Sequence, residues 1–335
     1  MPLISVVLPT YNTAVDFLKE AIESILTQTF RDFELIIIDD GSTNEVPAYL
    51  DSLADSRIRL IRNSRNIGIT KSLNRGFRAS RGKYIARMDG DDISFPDRLE
   101  KQFSFMEQHP EVVVCGSKVT FDRNKSLPDW KKATDMESYR IRMLFRNPGP
   151  AHPTAFFRRG TLIKHHIEYD ERLKYGQDYG MWETLSRIGQ ICTLPDRLLY
   201  FRRHENSVSI VHRGEQIQCD MITQKKLLLR LLGHVTQAEQ ELHYQYSTGY
   251  YSGQLMTATV LEWYRRLIQA NRQKHIYHCG KFNRYVFHII LRTIMHQSKT
   301  GLIKKAGQVF HYLPLHAAAY ELFAYGSKKL LGRAE

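Results

Sequence analysis

The run at residues 33–38 constrains the fold most, because five of its six residues are apolar. A strand with apolar side chains on both faces is typical of a parallel sheet covered by helices on both sides. A β-rich run at residues 4–8 precedes it, and a helical pattern from about Ala14 to Gln28 separates the two runs. The chain therefore opens with a βα unit, and the sequence predicts an α/β fold.

The alternation of strands and helices continues along the chain. Further strands are predicted at 58–61, 83–88, 112–115, 119–121, 154–157 and 198–201, and helices at 69–80, 97–108 and 178–188. Beyond Val211 helical patterns dominate, clearest at 225–232, 260–270 and 284–296. We expect a mixed sheet in a catalytic domain over 1–210, with a nucleotide-binding half at 1–110 and an acceptor-binding half at 111–210, followed by a basic helical region at 211–335.

Composition excludes several classes of protein. The four cysteines form no CxxC pair, which argues against a structural zinc site or a disulfide framework. No basic leader and no 18-residue uncharged stretch is present, so neither a signal peptide nor a membrane span is expected. These features predict a cytoplasmic protein.

Positive charge is concentrated in the C-terminal part. Residues 1–200 carry 29 Lys and Arg against 27 Asp and Glu, whereas residues 201–335 carry 19 against 8. The helix predicted at 284–296 is cationic and amphipathic, and Lys-Lys pairs precede leucines at 225–229 and 328–331. Such helices either pack against the catalytic domain or a second subunit, giving a homo-oligomer, or contact an anionic membrane at the inner face of the cell. No nucleic-acid-binding motif is recognisable.

The acidic cluster Asp89-Gly90-Asp91-Asp92 follows the apolar-rich run 84–88 directly. It should therefore lie at a strand's carboxyl end, where open α/β sheets bind ligands. Three carboxylates this close repel one another, and a divalent cation carrying an anionic ligand would relieve the repulsion. Taken alone, the cluster fits a solvated turn as well as a metal site.

Four segments together resemble family 2 of the inverting nucleotide-sugar glycosyltransferases. They are Ser5-Val6-Val7-Leu8-Pro9-Thr10-Tyr11-Asn12, Asp39-Asp40-Gly41-Ser42, Asn66-Ile67-Gly68 and Asp89-Gly90-Asp91-Asp92. The resemblance covers roughly the first 210 residues. It implies a glycosyltransferase A-type fold, which is a Rossmann-like mixed sheet that binds the nucleotide in its N-terminal half. A dinucleotide-binding fold is disfavoured, because no GxGxxG follows the first strand.

The resemblance also implies roles for individual residues. Asp91 would bind Mn²⁺ or Mg²⁺ directly, with Asp89 near the ribose or the waters of the metal, and His204 is either a further metal or diphosphate ligand or a surface residue. Asp39 and Asp40 would recognise the base, unless they only cap the next helix. The remaining predicted donor-binding residues are Pro9, Thr10, Tyr11, Asn12, Asn66, Gly68, Lys71 and Gly90.

Asp178 is the predicted general base, because the family places its catalytic carboxylate in a Glu-Asp pair before a helix that carries a Trp. Here Gln177 replaces the Glu and Trp182 follows. From the residues alone, the preferred role of Asp178 is the N-cap of the helix that follows, and the two roles can coexist. His152 is a weaker candidate for the acceptor site, and Arg202 and Arg203 are candidates for pairing with phosphate.

These features predict a metal-dependent inverting transfer of one sugar from a nucleotide donor to a lipid-linked saccharide in bacterial surface polysaccharide assembly. The resemblance implies a UDP-linked donor, which is usual in the family. No QxxRW motif is present, which disfavours processive synthesis. The alternatives are a metal-dependent nucleotidyltransferase and a non-catalytic nucleotide-sugar or membrane-binding protein. A nucleotidyltransferase would release pyrophosphate, and a binding protein would turn nothing over.

Overall fold

An eight-stranded sheet organises the part of the chain that precedes the helical region. The computed structural model describes residues 1–121, 135–205, 208–247 and 258–297. The strands are β1 (Ile4–Thr10), β2 (Phe33–Asp39), β3 (Ile58–Arg62), β4 (Tyr84–Arg87), β5 (Ile93–Ser94), β6 (Val112–Thr120), β7 (Phe156–Arg158) and β8 (Gln190–Tyr200). They lie in the order β3-β2-β1-β4-β7-β6-β8-β5.

Helices cover the sheet and form the C-terminal region. They are α1 (Val15–Leu26), α2 (Val46–Asp51), α3 (Ile69–Ala79), α4 (Arg98–Gln108), α5 (Met136–Phe145), α6 (Arg159–Lys164), α7 (Gln177–Leu185), α8 (Val208–Val211), α9 (Arg213–Leu232), α10 (Gln237–Ser247), α11 (Ala258–Lys274) and α12 (Cys279–Gln297). A short 3₁₀ turn, His152–Thr154, precedes β7.

The sheet is mixed, as predicted. Strands β3, β2, β1 and β4 are parallel, β7 is antiparallel to both of its neighbours, β6 and β8 are parallel, and β5 is antiparallel to β8. All seven residues of β1 and all seven of β2 are buried. This burial is what an apolar run in a parallel strand with both faces covered predicts.

The topology brings many chain segments to one edge of the sheet. The carboxyl ends of β1, β2 and β4 lie there, and β7 begins there because it is antiparallel to β4. Strands β6 and β8 run parallel to β4, so the segment after Tyr200 leaves from the same edge. Ligand sites in open α/β sheets lie at this edge.

The structure corrects several of the predicted elements. The predicted strands at 112–115 and 119–121 are one strand, β6, whose pairing with β8 shifts register between Ser117 and Val119. Helices α2, α5, α6 and α10 and the two-residue strand β5 were not predicted. Helix α7 begins at Gln177, and Gly176 occupies its N-cap position. The N-cap alternative for Asp178 is therefore wrong, since this residue lies in the first turn.

The chain separates into two compact units. One consists of Met1–Thr134 with Gly149–Cys219, and the other of Asp135–Pro148 with Asp220–Glu335. The predicted division at residue 210 stays a prediction. Inside the second unit, His243 on α10 is fully enclosed: its Nε2 atom lies 2.7 Å from the Leu144 carbonyl oxygen, and Trp263 Nε1 donates to its Nδ1 atom at 3.1 Å.

The amphipathic helix predicted at 284–296 corresponds to α12. Its apolar residues Val286, Phe287 and Ile290 are buried inside the second unit, while Arg284 and His288 are exposed. These three apolar residues therefore pack against protein, and membrane contact by α12 stays a prediction. The Lys-Lys and Leu-Leu pairs at 328–331 lie outside the described residues. Over the ranges that the structure covers, every helix is too short or too polar to cross a bilayer.

Candidate active site

A cavity of about 540 Å³, here called the larger cavity, opens at the edge of the sheet where β1, β2 and β4 end. Eleven of the predicted site residues border it: Pro9, Thr10, Tyr11, Asn12, Asp40, Asn66, Gly68, Asp89, Gly90, Asp91 and His204. Asp39 and Lys71 do not border it, and Asp178 borders a second cavity beside it. The sheet thus gathers most of the predicted residues around one space.

The turns after β1 and β2 hold each other in place. Asn12 adopts a left-handed backbone conformation with φ of 48°. Its backbone N–H donates to Ser42 Oγ at 3.0 Å, and its side-chain Oδ1 accepts from the Thr43 N–H at 2.8 Å. Gly41 also has a positive φ, 74°, and a Cβ there would come within 2.6 Å of the Arg65 backbone. Only glycine fits this position without a shift of the neighbouring loop.

The carboxylate of Asp40 organises the loop before α3. It is 3% exposed, and its Oδ1 accepts from Asn63 Nδ2 at 2.6 Å and from the Ile67 N–H at 2.9 Å. Its Oδ2 accepts from the Gly68 N–H at 2.9 Å. Asp40 therefore caps the start of α3, which is the next helix that the sequence predicts after it.

Two predicted donor-binding residues lie apart from this cavity wall. The Asp39 Oδ1 atom accepts from the Ser42 N–H at 2.9 Å, and Arg62 Nε lies 4.0 Å from its other oxygen. Asp39 is 2% exposed, whereas Lys71 is exposed on α3. Their roles at the base and the diphosphate stay predictions.

The acidic cluster Asp89-Gly90-Asp91-Asp92, here called the acidic turn, lies at the end of β4. One ligand oxygen from each of Asp89, Asp91 and Asp92 lies within 4.8 Å of the others. His204 Nε2 lies 2.9 Å from Asp91 Oδ2, although the two residues are far apart in the chain. Arg87 pairs with the Asp89 carboxylate through both terminal nitrogens.

Burial disfavours the charged forms of two carboxyl groups in the acidic turn. Burial and the charges of Asp89 and Asp91 raise the pKa of Asp92 to about 8, and its buried Oδ2 has no hydrogen-bond partner. Burial also raises the pKa of Asp89, against the attraction of Arg87. Two carboxylates and an imidazole facing a cavity are donors that Mn²⁺ or Mg²⁺ accepts. Asp91, Asp89 and His204 therefore fit the predicted divalent cation.

Arg202 fastens the acidic turn to α1. Its backbone N–H donates to Asp92 Oδ1 at 3.0 Å, and its Nε donates to the Asp91 carbonyl at 2.7 Å. Its guanidinium also pairs with Glu20 and lies 4.0 Å from the centre of the Phe17 ring. Arg203 is exposed and stacks on Phe121 at 3.7 Å. Arg202 is thus bound to protein groups, and its pairing with phosphate stays a prediction.

A smaller cavity of about 270 Å³ lies beside the larger one. The two share Ile69, Asp89, Asp91 and Tyr175 as lining residues. The smaller cavity is further bordered by Arg87, Ala151, His152, Pro153, Gln177, Asp178, Phe201, Arg202 and Gln216. Asp89 and Asp91 therefore border both spaces, whereas the predicted base borders only the smaller one and the predicted nucleotide residues 9–12 border only the larger one.

His152 forms an uncharged wall of the smaller cavity. Its Nε2 lies 2.8 Å from the Tyr169 hydroxyl, and its ring meets Trp182 edge to face. Burial, assisted by the charge of Arg87, holds the pKa of His152 well below its usual range. The imidazole is therefore neutral at pH 7.

Comparison with known proteins now assigns this arrangement. Residues 5–166 match the family model described as Glycosyl transferase family 2. The chain therefore carries a domain of this family. A Haemophilus influenzae protein named as an uncharacterized glycosyltransferase is 28% identical over 335 residues, which is 96% of this chain and 93% of that protein. The amylovoran biosynthesis glycosyltransferase AmsE of Erwinia amylovora is 29% identical over 245 residues, 70% of this chain and 89% of its own length.

A solved structure supports the fold of this family 2 glycosyltransferase. The crystal structure of S. aureus TarS 1-349 in complex with UDP-GlcNAc aligns with a TM-score of 0.56, over 88% of this chain and 89% of that one. The sequence identity is 18%, so the likeness concerns the fold. The predicted glycosyltransferase A-type sheet with a helical C-terminal region is confirmed.

Several cavity residues of this glycosyltransferase were not predicted as site residues. Arg87, Tyr175 and His212 are examples, and the rings of the last two stack with their centres 4.2 Å apart. Arg87 had a signal in the sequence, since it is the one charged residue in the run 84–88. Tyr175 and His212 had none, because nothing in their neighbourhoods indicates that they meet.

Proposed function

We propose that this glycosyltransferase transfers a single sugar, with inversion, from a UDP-sugar to a saccharide acceptor. The observation that carries the proposal is the position of Asp89 and Asp91, which border both cavities. A diphosphate in the larger cavity would face an acceptor in the smaller one across these carboxylates. TarS is described in complex with UDP-GlcNAc, and AmsE is named for polysaccharide biosynthesis. The first supports a UDP-sugar as the donor, and the second supports a role in bacterial surface polysaccharide assembly.

The donor would occupy the larger cavity. Thr10, Tyr11 and Asn12 would flank the base, and the loop that Asp40 organises would present Asn66 and Gly68 to the ribose or diphosphate. Backbone N–H groups at the start of a helix favour anionic ligands. In this proposal the nucleotide-binding half spans 1–110 and the acceptor-binding half 111–210.

Asp91, with Asp89 and His204, would hold Mn²⁺ or Mg²⁺. When bound, such a cation neutralises negative charge that grows on a departing diphosphate. His204 supports this assignment, because it lies within hydrogen-bond distance of Asp91 and borders the larger cavity. The enzyme would then depend on a divalent metal.

Asp178 would act as the general base. It borders the smaller cavity together with Asp89 and Asp91, so a hydroxyl held there can give its proton to the Asp178 carboxylate. The acceptor oxygen forms a bond to the anomeric carbon as the bond from that carbon to the diphosphate oxygen breaks. Nucleoside diphosphate leaves on the side opposite the attack, which inverts the anomeric configuration.

A lipid-linked acceptor would bring the enzyme to an anionic membrane. The support is on α9, where Ile222 and Leu229 are 48% and 39% exposed and Lys225 and Lys226 are exposed beside them. Apolar side chains among basic ones are typical of helices that lie on anionic bilayers. Co-sedimentation with vesicles that contain phosphatidylglycerol, but not with pure phosphatidylcholine vesicles, is the expected result. Equal pelleting with both, or with neither, would contradict this part of the proposal; a concentration-dependent dimer in sedimentation would favour the predicted homo-oligomer.

Product analysis tests the reaction itself. The protein is incubated with UDP-sugars, Mn²⁺ and a saccharide mixture, and the paramagnetic Mn²⁺ is removed on a chelating resin before the spectra are recorded. Phosphorus NMR should then show UDP, and proton NMR should show a glycoside of inverted configuration. Pyrophosphate in place of UDP would identify a nucleotidyltransferase. A product with retained anomeric configuration would exclude a single direct displacement, and would therefore also exclude the proposed role of Asp178 as its base.

A further inference from the structure

Two buried polar atoms, in residues that border the smaller cavity, have no hydrogen-bond partner in the protein. They are Nε of Arg87 and Oε1 of Gln177. Arg87 is 3% exposed and Gln177 is 5% exposed. Buried polar atoms are almost always paired, so an unpaired one that borders a cavity indicates a ligand or an ordered water.

The two atoms have opposite hydrogen-bonding character. Arg87 Nε carries a hydrogen and can only donate, while the carbonyl oxygen of Gln177 can only accept. The terminal nitrogens of Arg87 are held by Asp89, which fixes the direction of its remaining N–H. A hydroxyl group both accepts and donates, so one hydroxyl can serve both atoms. A phosphate would satisfy the arginine and repel the amide oxygen, and an ammonium group would do the reverse.

The rest of the smaller cavity also fits a neutral polar ring. His152 is uncharged there, and its ring lies against Trp182. On the same wall, Arg87 pairs with Asp89 and Arg202 pairs with Glu20, so both guanidinium groups already face carboxylates. A volume of about 270 Å³ is close to the low end of ligand pockets and suits a single monosaccharide unit.

We propose that Arg87 and Gln177 together recognise one hydroxyl of the acceptor's terminal sugar, and that Gln177 is a specificity-determining residue. The inference rests on the proposed function, because it takes Asp178 in the same cavity as the base for a neighbouring hydroxyl. Gln177 takes the place of the family's glutamate, so it accepts this hydrogen bond without adding negative charge next to Asp178. Removal of its accepting oxygen should therefore change which sugars are accepted, while donor binding persists.

The test uses Gln177→Met, which nearly preserves shape and removes the acceptor oxygen. The probes are methyl glycopyranosides at tens of millimolar and their monodeoxy analogues, and the readout is UDP release above the metal-dependent hydrolysis of the donor. Wild type should use one parent glycoside about 10- to 100-fold better in kcat/KM than the analogue that lacks the recognised hydroxyl. Gln177→Met should lose this preference and keep all others. Gln218→Met, at an exposed position of α9, should keep it.

A second variant separates recognition from a structural role. Gln177→Glu keeps the shape and an accepting oxygen, so it should retain the preference for the same hydroxyl that Gln177→Met loses. A structural role would instead lower the activity on every glycoside in parallel. UDP binding in a calorimeter should be unchanged in both variants.

Three results would overturn the inference. The preference persists in Gln177→Met; both variants lose activity on every glycoside in parallel; or wild type hydrolyses the donor while no glycoside accelerates UDP release, which leaves only water in the subsite. The proposed function fails in a distinguishable way, because wild type would then neither bind nor hydrolyse any UDP-sugar with Mn²⁺.

Discussion

The two cavities differ in how their polar groups are used. Around the larger cavity the side chains hold the loops to one another: Asp40 accepts three hydrogen bonds from the loop before α3, and Asn12 joins the turns after β1 and β2. On the smaller cavity, Arg87 Nε and Gln177 Oε1 bond to no protein atom. Hydrogen bonds between its loops therefore fix the shape of the larger cavity, whereas two residues that border the smaller cavity carry polar atoms without a protein partner.

This difference suits the two halves of a transfer reaction. A nucleotide is a large ligand with a fixed set of contacts, and a preorganised frame lowers the entropy lost when it binds. An acceptor must be selected by its hydroxyl pattern, and discrimination comes from buried polar groups that a wrong sugar leaves unpaired. The acidic turn belongs to both cavities, so changes there should affect both steps.

The largest expected effect concerns the smaller cavity. Asp178→Asn keeps the shape of the side chain but removes the proton acceptor, so kcat for transfer should fall by about 10²–10⁴-fold. UDP binding should be unchanged, since the nucleotide residues border the other cavity. Asp170→Asn, on the loop before α7, serves as the matched control and should retain transfer. Substantial transfer by Asp178→Asn would assign the base elsewhere.

His204→Gln should weaken metal binding at the acidic turn, which borders both cavities. The imidazole contacts Asp91, and loss of such a ligand or ligand partner lowers metal affinity by about 10–100-fold. The Mn²⁺ concentration that gives half-maximal transfer should rise accordingly, with the rate at saturating Mn²⁺ largely restored. The exposed His165→Gln is the control. An unchanged Mn²⁺ dependence would show that His204 does not contribute to metal binding.

Asp40→Asn should act on the larger cavity alone. An amide cannot accept all three hydrogen bonds, so the free energy of unfolding should fall by about 1–3 kcal/mol and the Kd for UDP should rise by about 10-fold. Asp51→Asn, an exposed partner of Arg62, should change neither quantity. Asp40→Asn should leave the preference among acceptor hydroxyls intact. Loss of that preference would show that the two cavities are not separate in function.

The smallest expected effect is the pH dependence set by His152. Burial lowers the pKa of His152 in the folded protein, so below pH 6.5 the unfolded chain binds a proton that the folded chain does not. The stabilisation from the neutral imidazole is complete above pH 6.5 and is lost as the pH falls below it. Between pH 7 and pH 5, the denaturation midpoint should change less with pH in His152→Gln than in wild type. If the denaturation midpoint depends on pH equally in wild type and variant, the pH dependence does not come from His152.

Much of the structure around the larger cavity was predictable from the sequence, because it follows from local patterns. Continuous apolar runs gave β1 and β2, and polar residues after each strand marked the edge where the larger cavity lies. The exceptions were short or lacked periodicity: β5 has two residues and α2 has six. Neither length carries a hydrophobic period that a sequence reading can detect.

The available groups of the smaller cavity were less predictable. Gln177 attracted notice only as a departure from the family's glutamate, and nothing local indicates that its oxygen lacks a partner. That property depends on Arg87, Asp89 and the segment at His152, which the sheet brings together from distant parts of the chain. Likewise, Asp40 contacts a loop 27 residues away, so its capping of α3 could not be read from its own neighbours.

Calorimetric titration of UDP into wild type and Asp91→Ala, each with and without Mn²⁺, tests the central claim most directly. If the acidic turn joins the cation and the diphosphate, wild type should bind UDP at least about 10-fold more tightly with Mn²⁺, a difference of about 1.4 kcal/mol. Asp91→Ala should lose that gain while keeping its folded circular dichroism. Metal-independent UDP binding of equal strength in both proteins would contradict the account.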